Sequence, residues 1–341
     1  MQYSIYVMKA MVLNTPGPIE ENPLRLEDVE RPKPGKGEIL IRLKACGICH
    51  TDLHTLEGEL DLPRLPLIPG HQIVGLVEGL GPETSTFKKG DRVGVPWLSC
   101  TCGECDYCKR GLENLCVNAQ FTGYHVDGGY AEYAVAKEAF AYPIPKSFSD
   151  TAAAPLLCAG IIGFRALRLS EVKPGQRLGL YGFGASAHVT IQIARHWGCE
   201  VSVFTRSKEH RDLATELGAA WVGKAEDNPP DSIQSAIIFA PAGHLVLDAL
   251  RVMDKGATLA LAGIYMTPIP ETDYKLLYDE RTIRSVTAST REDARELLRY
   301  AGEIPIRTEV QSFPLEDANK ALQMLKRSEI KGAGVLEIGP D

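Results

Sequence analysis

The densest chemistry in the chain lies between Cys100 and Cys116, which hold five of the nine cysteines. Cys102, Cys105, Cys108 and Cys116 are separated by two, two and seven residues. Four thiolates in so short a loop can converge on one ion at ~2.3 Å, with Gly103 and Gly111 supplying the turns. The competing reading, buried or redox cysteines, fits this spacing less well. A shell closed by four sulfurs leaves no position for a reactant, so the lobe predicts a structural zinc. Cys100 is then a spectator.

A second set is dispersed. The segment Cys46-Gly47-Ile48-Cys49-His50-Thr51-Asp52-Leu53-His54 is followed by Pro69-Gly70-His71-Gln72 and, much later, by Leu157-Cys158-Ala159-Gly160. Taken alone, Cys158 at the start of an apolar helix reads as core, and Cys46 beside Cys49 could be mistaken for half of a redox pair. A third feature is Gly182-Phe183-Gly184-Ala185-Ser186-Ala187, a G-x-G-x-x-A turn between an apolar strand and a helix. That context makes it a dinucleotide fingerprint. Gly182 makes the tight turn, Gly184 admits the pyrophosphate, Ala187 packs helix on strand, and the helix N-terminus receives the phosphates.

Two kinds of element must position these groups. From Val12 to about Pro155 short β runs recur, such as Ile39–Leu43, Ile73–Val77 and Arg92–Val95, punctuated by Gly and Pro. They predict an all-β, barrel-like domain with long loops. Ala152 to Leu169 is expected to be one helix. Then come strands at Leu178–Tyr181, Val201–Phe204, Ala236–Phe239 and Thr258–Ala262, alternating with helices at Ala187–Trp197, Glu209–Leu217 and Leu245–Val252. That alternation is the signature of a doubly wound parallel sheet. The tail, ending Ala333–Ile338, is expected to rejoin the first domain. The division is therefore 1–160 with 305–341, and 161–304 between them.

With these motifs in this order, the chain resembles the zinc-dependent medium-chain alcohol dehydrogenases from about Lys9 to Ile338. The resemblance implies an α/β protein, with a GroES-like β-barrel catalytic domain and a Rossmann domain. It implies that Cys49, His71 and Cys158 bind a catalytic zinc whose fourth position is open, making two zinc ions per chain. It further implies that Asp52 holds the second ring nitrogen of His71, that Thr51 and His54 relay the alcohol proton, and that His50 faces the cofactor pyrophosphate. Two departures stand out. Gln72 replaces the family's usual Glu after the ligand His, so slower zinc-ligand exchange is expected. Ala333 replaces a phosphate-binding Arg near the final strand.

Cofactor choice turns on the end of the second Rossmann strand, where an acidic residue would hold the ribose hydroxyls and repel a 2′-phosphate. This chain has Thr205-Arg206-Ser207-Lys208 there. Two cations and two hydroxyls favour NADP(H) over NAD(H). Trp97 follows Val95-Pro96, where the family has a bulky pocket residue, and predicts a narrow cleft for a small primary alcohol or its aldehyde. Leu56, Tyr124 and Leu156 are further candidates for its wall; alternatively, Trp97 packs beneath the thiolate lobe.

Composition narrows the rest. With 37 Lys plus Arg against 44 Asp plus Glu, the net charge of -7 argues against a general affinity for nucleic acid or anionic membrane. No apolar run approaches the ~20 residues of a membrane span, and Lys9 interrupts the apolar start, so a cytoplasmic location is expected. The resemblance suggests a homodimer or homotetramer. The alternatives are a polyol or aryl-alcohol dehydrogenase of the same fold, an inactive cofactor-binding relative and, weakly, a zinc-stabilised nucleic-acid binder.

Overall fold

The computed structural model describes residues 6–339. The chain divides into two compact units, one comprising residues 1–158, 290–302 and 307–341 and the other 159–289 and 303–306.

The first unit is built on a seven-stranded sheet. Its order is Val310–Pro314, Ala333–Glu337, Glu38–Gly47, Gln72–Leu80, Arg92–Val95 and Tyr142–Pro143, with Tyr133–Lys137 also pairing to Glu38–Gly47. The tail strand lies antiparallel to Glu38–Gly47, aligning Val335 with Gly47. A hairpin of Val7–Leu13 with Leu24–Glu30 and a short ribbon of Leu98–Cys100 with Gln120–Phe121 complete the β structure. The core gathers Met11, Leu13, Ile39, Ile41, Leu43, Ile73, Val93 and Leu336, each almost without exposure. Burying one such side chain contributes about 1.5–3 kcal/mol, which holds the register of Glu38–Gly47 and Gln72–Leu80, the strands that end or begin next to Cys49 and His71.

The second unit is a six-stranded, wholly parallel sheet. Its order is Trp221–Gly223, Glu200–Phe204, Arg177–Tyr181, Ile233–Ile238, Met253–Leu261 and Thr282–Ser285. Numbered along the chain this is 3-2-1-4-5-6, the dinucleotide-binding order, and the strand order reverses beside Arg177–Tyr181. The helices Ala159–Leu169 and Ala185–His196 approach so closely that a Cβ on Gly163 would lie 2.4 Å from Thr190 Oγ1.

Three features differ from the sequence expectation. The expected helix Ala152–Leu169 is broken: Asp150–Ala153 runs into a 3₁₀ turn at Ala154–Leu157, and helix resumes at Ala159. Pro155 lies in that turn, where a regular helix would need its missing N–H. A helix not foreseen, Arg291–Glu303, carries i,i+3 ion pairs such as Arg299–Glu296, and residues 290–302 group with the first unit. Leu56 and Leu156, expected at a cleft wall, have no exposed surface, and Leu56 belongs to the barrel core.

Candidate active site and metal centres

The dispersed donors meet in the first unit. Cys49 is the N-cap of the helix His50–Leu56, His71 directly precedes the strand Gln72–Leu80, and Cys158 occupies the helix break at φ -129°, ψ -73°. Cys49 Sγ lies 3.9 Å from Cys158 Sγ, and His71 Nε2 lies 3.4 Å from Cys158 Sγ. Ligands at ~2.3 Å (sulfur) and ~2.0 Å (nitrogen) around a tetrahedral ion would be ~3.8 Å apart for S···S and ~3.5 Å for S···N. The three donors therefore fit three corners of one tetrahedral zinc.

Supporting groups hold the imidazole. Asp52 Oδ1 is 3.0 Å from His71 Nδ1, while its Oδ2 accepts hydrogen bonds from the Cys49 N–H (2.8 Å) and the Tyr130 hydroxyl (3.1 Å). With Nδ1 bound to the carboxylate, Nε2 is the nitrogen left to bind metal. His71, Asp52 and Tyr130 are all buried. Burial disfavours the His71 imidazolium, yet the Asp52 carboxylate and the Cys49 sulfur outweigh it and lift its pKa to about 10. Cys49 is held well below the ordinary thiol value, first by its hydrogen bond from Cys158 and then by His71. Two sulfurs 3.9 Å apart repel each other as thiolates, and a bound cation relieves that repulsion.

Tyr130 was not foreseen from the sequence. Gly128-Gly129-Tyr130 carries no ligand signal, and its partner Asp52 is 78 positions away. Gly70, with φ +95°, turns the chain into His71; a Cβ there would meet the Tyr130 ring at 2.3 Å.

The remaining helix residues sit as follows. Thr51 Oγ1 is 3.7 Å from Cys49 Sγ. His50, the first helical residue, is exposed. His54 Nδ1 is 2.5 Å from the Glu59 carboxylate. Gln72 is buried, and a Cβ on Gly47 would lie 2.8 Å from its side-chain amide. An aromatic group flanks the imidazole: Trp97 meets His71 edge-on at 4.8 Å and stacks on Phe121 at 5.0 Å. Tyr124 lies 5.9 Å from Trp97 and is tethered by its hydroxyl to the Asp61 carbonyl at 2.6 Å.

The contiguous lobe also converges. Cys102 Sγ is 3.5 Å from Cys116 and 4.0 Å from Cys108, and Cys105 is 3.6 Å from Cys108, again the spacing of a tetrahedral ion. Backbone N–H groups of Cys102, Cys105 and Asn118 point at these sulfurs, each at 3.4 Å. A hydrogen bond from the Cys108 backbone brings Cys105 down to about 6. Cys100 turns to the Thr101 carbonyl and stays outside the cluster. Glu113, within the lobe, accepts from both the backbone N–H and the guanidinium of Arg291 at 2.7 Å.

In the second unit Gly182 has φ +85°, and a Cβ there would lie 3.0 Å from Ala240 N. Gly184 caps the helix that begins at Ala185 and faces open space, as close approach of a pyrophosphate requires; Ala187 is buried beneath. In the turn after Glu200–Phe204, Thr205 is buried, Ser207 caps the helix Lys208–Glu216, and Lys208 is paired with Asp212 at 2.7 Å. Arg206 is exposed, and no described residue pairs with its guanidinium. Arg211 Nη1 donates to the carbonyls of Thr205 and Arg206. Ala333 is buried at the start of its strand.

Comparison with known proteins agrees with this geometry. Residues 35–146 match the alcohol dehydrogenase GroES-like domain family and residues 187–303 the zinc-binding dehydrogenase family. The chain is 47% identical to a probable alcohol dehydrogenase, AdhA, of Mycobacterium tuberculosis, covering 97% of each chain. The solved structure of AibC superposes with a TM-score of 0.91 at 27% identity, covering 99% of this chain and 98% of that one. A cobalt- and zinc-bound thermostable alcohol dehydrogenase from Pyrobaculum aerophilum gives 0.86 at 27% identity, covering 97% and 100%. By donor geometry, strand order and these likenesses alike, the chain belongs to the zinc-dependent medium-chain alcohol dehydrogenases.

Proposed function

We propose that this alcohol dehydrogenase uses zinc held by Cys49, His71 and Cys158 to interconvert a small primary alcohol and its aldehyde, with NADP(H) preferred over NAD(H). The observation that carries the reading is the 3.9 Å and 3.4 Å spacing of three donors from distant parts of the chain, backed by Asp52 on His71. When bound, the metal makes an alcohol a stronger acid and the nicotinamide takes its hydride. The chain's own residues do the rest. Asp52 keeps Nε2 of His71 directed at the metal, and the Thr51 hydroxyl accepts the substrate proton, which His54 delivers to solvent. Trp97 beside His71 limits the width of the substrate. Gly182, Gly184, Ala185 and Ala187 form the pyrophosphate turn. A second zinc in the four-thiolate lobe shapes that loop.

Arg206 supports the preference for NADP(H), since its guanidinium is free to meet a 2′-phosphate while Lys208 is engaged with Asp212. An aryl alcohol is the second reading, favoured by the stacked Trp97 and Phe121, on which a ring could lie. A dimer or tetramer is supported by the edge strand Thr282–Ser285 and the exposed Ile264, Tyr265, Tyr274 and Tyr278 beside it in sequence. Nine free cysteines fit the reducing cytoplasm.

One experiment tests the core of this: metal content, with turnover of ethanol-sized, aryl and bulky secondary alcohols using both cofactors. About two zinc per chain, fastest turnover of short alcohols and lower KM for NADP(H) are expected. Faster turnover of bulky secondary alcohols would overturn the narrow site. Arg206→Ala should raise KM for NADP(H) roughly tenfold and leave NAD(H) little changed; an equal effect on both would remove Arg206 from the specificity argument.

A further inference from the structure

His54 has a partner that the relay role alone does not require. Its Nδ1 is 2.5 Å from Glu59 Oε2, and the Glu59 backbone N–H donates to the His54 carbonyl at 3.0 Å. Gly58, with φ +74°, turns the chain so that both bonds form at once. The neighbouring acid is occupied elsewhere, because Glu57 accepts from Lys326 at 2.7 Å and from the Ile19 N–H at 3.1 Å. Glu59 is therefore the one carboxylate bound to this ring among the described residues.

We propose that Glu59 is a positioning residue that fixes neutral His54 in its Nδ1-protonated tautomer and leaves the Nε2 lone pair as the proton acceptor. A carboxylate can only accept, so the hydrogen of that bond belongs to Nδ1. A neutral imidazole carries one N–H, and Nε2 is left basic. Without the partner, both tautomers and several ring orientations are available to a side chain that is 22% exposed. When Nε2 takes a proton, the ring becomes an imidazolium with Nδ1 still bound to Glu59. Release of the Nε2 proton to water restores the starting tautomer. The carboxylate is more than half exposed and is itself unchanged through the cycle.

The functional half of this inference rests on the relay reading above; the tautomer does not. The test is a long-range ¹H–¹⁵N spectrum of the full-length protein labelled at histidine, recorded where imidazole is neutral, with His54 assigned by loss of its signals in His54→Gln. The Nδ1–H pattern is expected in the native protein and in Glu59→Gln, whose amide oxygen still accepts. Glu59→Ala should revert to the Nε2–H pattern and lose turnover by about 10-fold, the lower end for removing the outer partner of a functional imidazole. An Nε2–H pattern in the native protein, or the same pattern in Glu59→Ala, would overturn the positioning role. Unchanged turnover in His54→Gln would instead overturn the relay, so the two claims fail separately.

Discussion

The two cysteine-rich centres solve the same coordination problem by opposite routes. The lobe draws four sulfurs from one stretch of 15 residues, three of the cysteines partly exposed and Cys116 buried, and steadies them with backbone N–H groups. The other centre draws two sulfurs and an imidazole from positions up to 109 residues apart and keeps the imidazole fully buried. A closed shell can be built locally because nothing has to enter it. An open one must be held by the fold, since its free position would otherwise be filled by a fourth side chain or by collapse of the loops. What distinguishes the two is how far apart the donors lie in sequence and what stands behind them.

Breaking one ligand at each centre should therefore give opposite phenotypes. Cys158→Ser is expected to lower turnover by roughly 10³-fold, the equivalent of the several kcal/mol a Lewis acid contributes. Metal analysis should find one zinc lost per chain and Tm nearly unchanged. Retention of a tenth or more of native turnover would argue that Cys158 is core after all.

Cys105→Ser should do the reverse. If the lobe's metal contributes about 3 kcal/mol to folding, Tm falls by roughly 6–12 °C by differential scanning calorimetry. Turnover of the protein that remains folded, measured well below the transition, should fall less than tenfold. A loss as large as that of Cys158→Ser would erase the distinction between structural and catalytic centres.

The smallest effect sharpens the role of what stands behind the ligands. Asp52→Asn keeps a hydrogen-bonding side chain at His71 but removes the charge. Zinc affinity at the open centre, read by competition with a chelator, should weaken by about 10- to 100-fold. The lobe's affinity should not move. Equal weakening at both centres would point to general destabilisation.

The same contrast explains what was legible in the sequence. The lobe could be read almost completely, because its geometry is written in spacings of two and seven. The parallel, doubly wound character of the second unit was legible in the alternation of apolar strands and helices and in the Gly-rich turn, while the strand order was not. The strands Trp221–Gly223 and Thr282–Ser285 escaped because they are short and lack a clean alternation of burial. Cys158 looked like part of a continuous helix, and only the turn around Pro155 sets it apart. Leu56 was misplaced because the helix His50–Leu56 turns Leu53 and Leu56, three apart, toward the core. The Arg291–Glu113 contact joins residues 178 positions apart, and no local pattern announces such a pair.

Tyr130 has one ring and two duties. Its hydroxyl supports Asp52, while its face fills the space that a side chain at position 70 would need. The absent side chain at Gly70 is thus mechanically connected to the imidazole that follows it, through phenol and carboxylate. Positions 52, 70, 71 and 130 are thus one packed and hydrogen-bonded unit, in which a change at any one is felt at the imidazole.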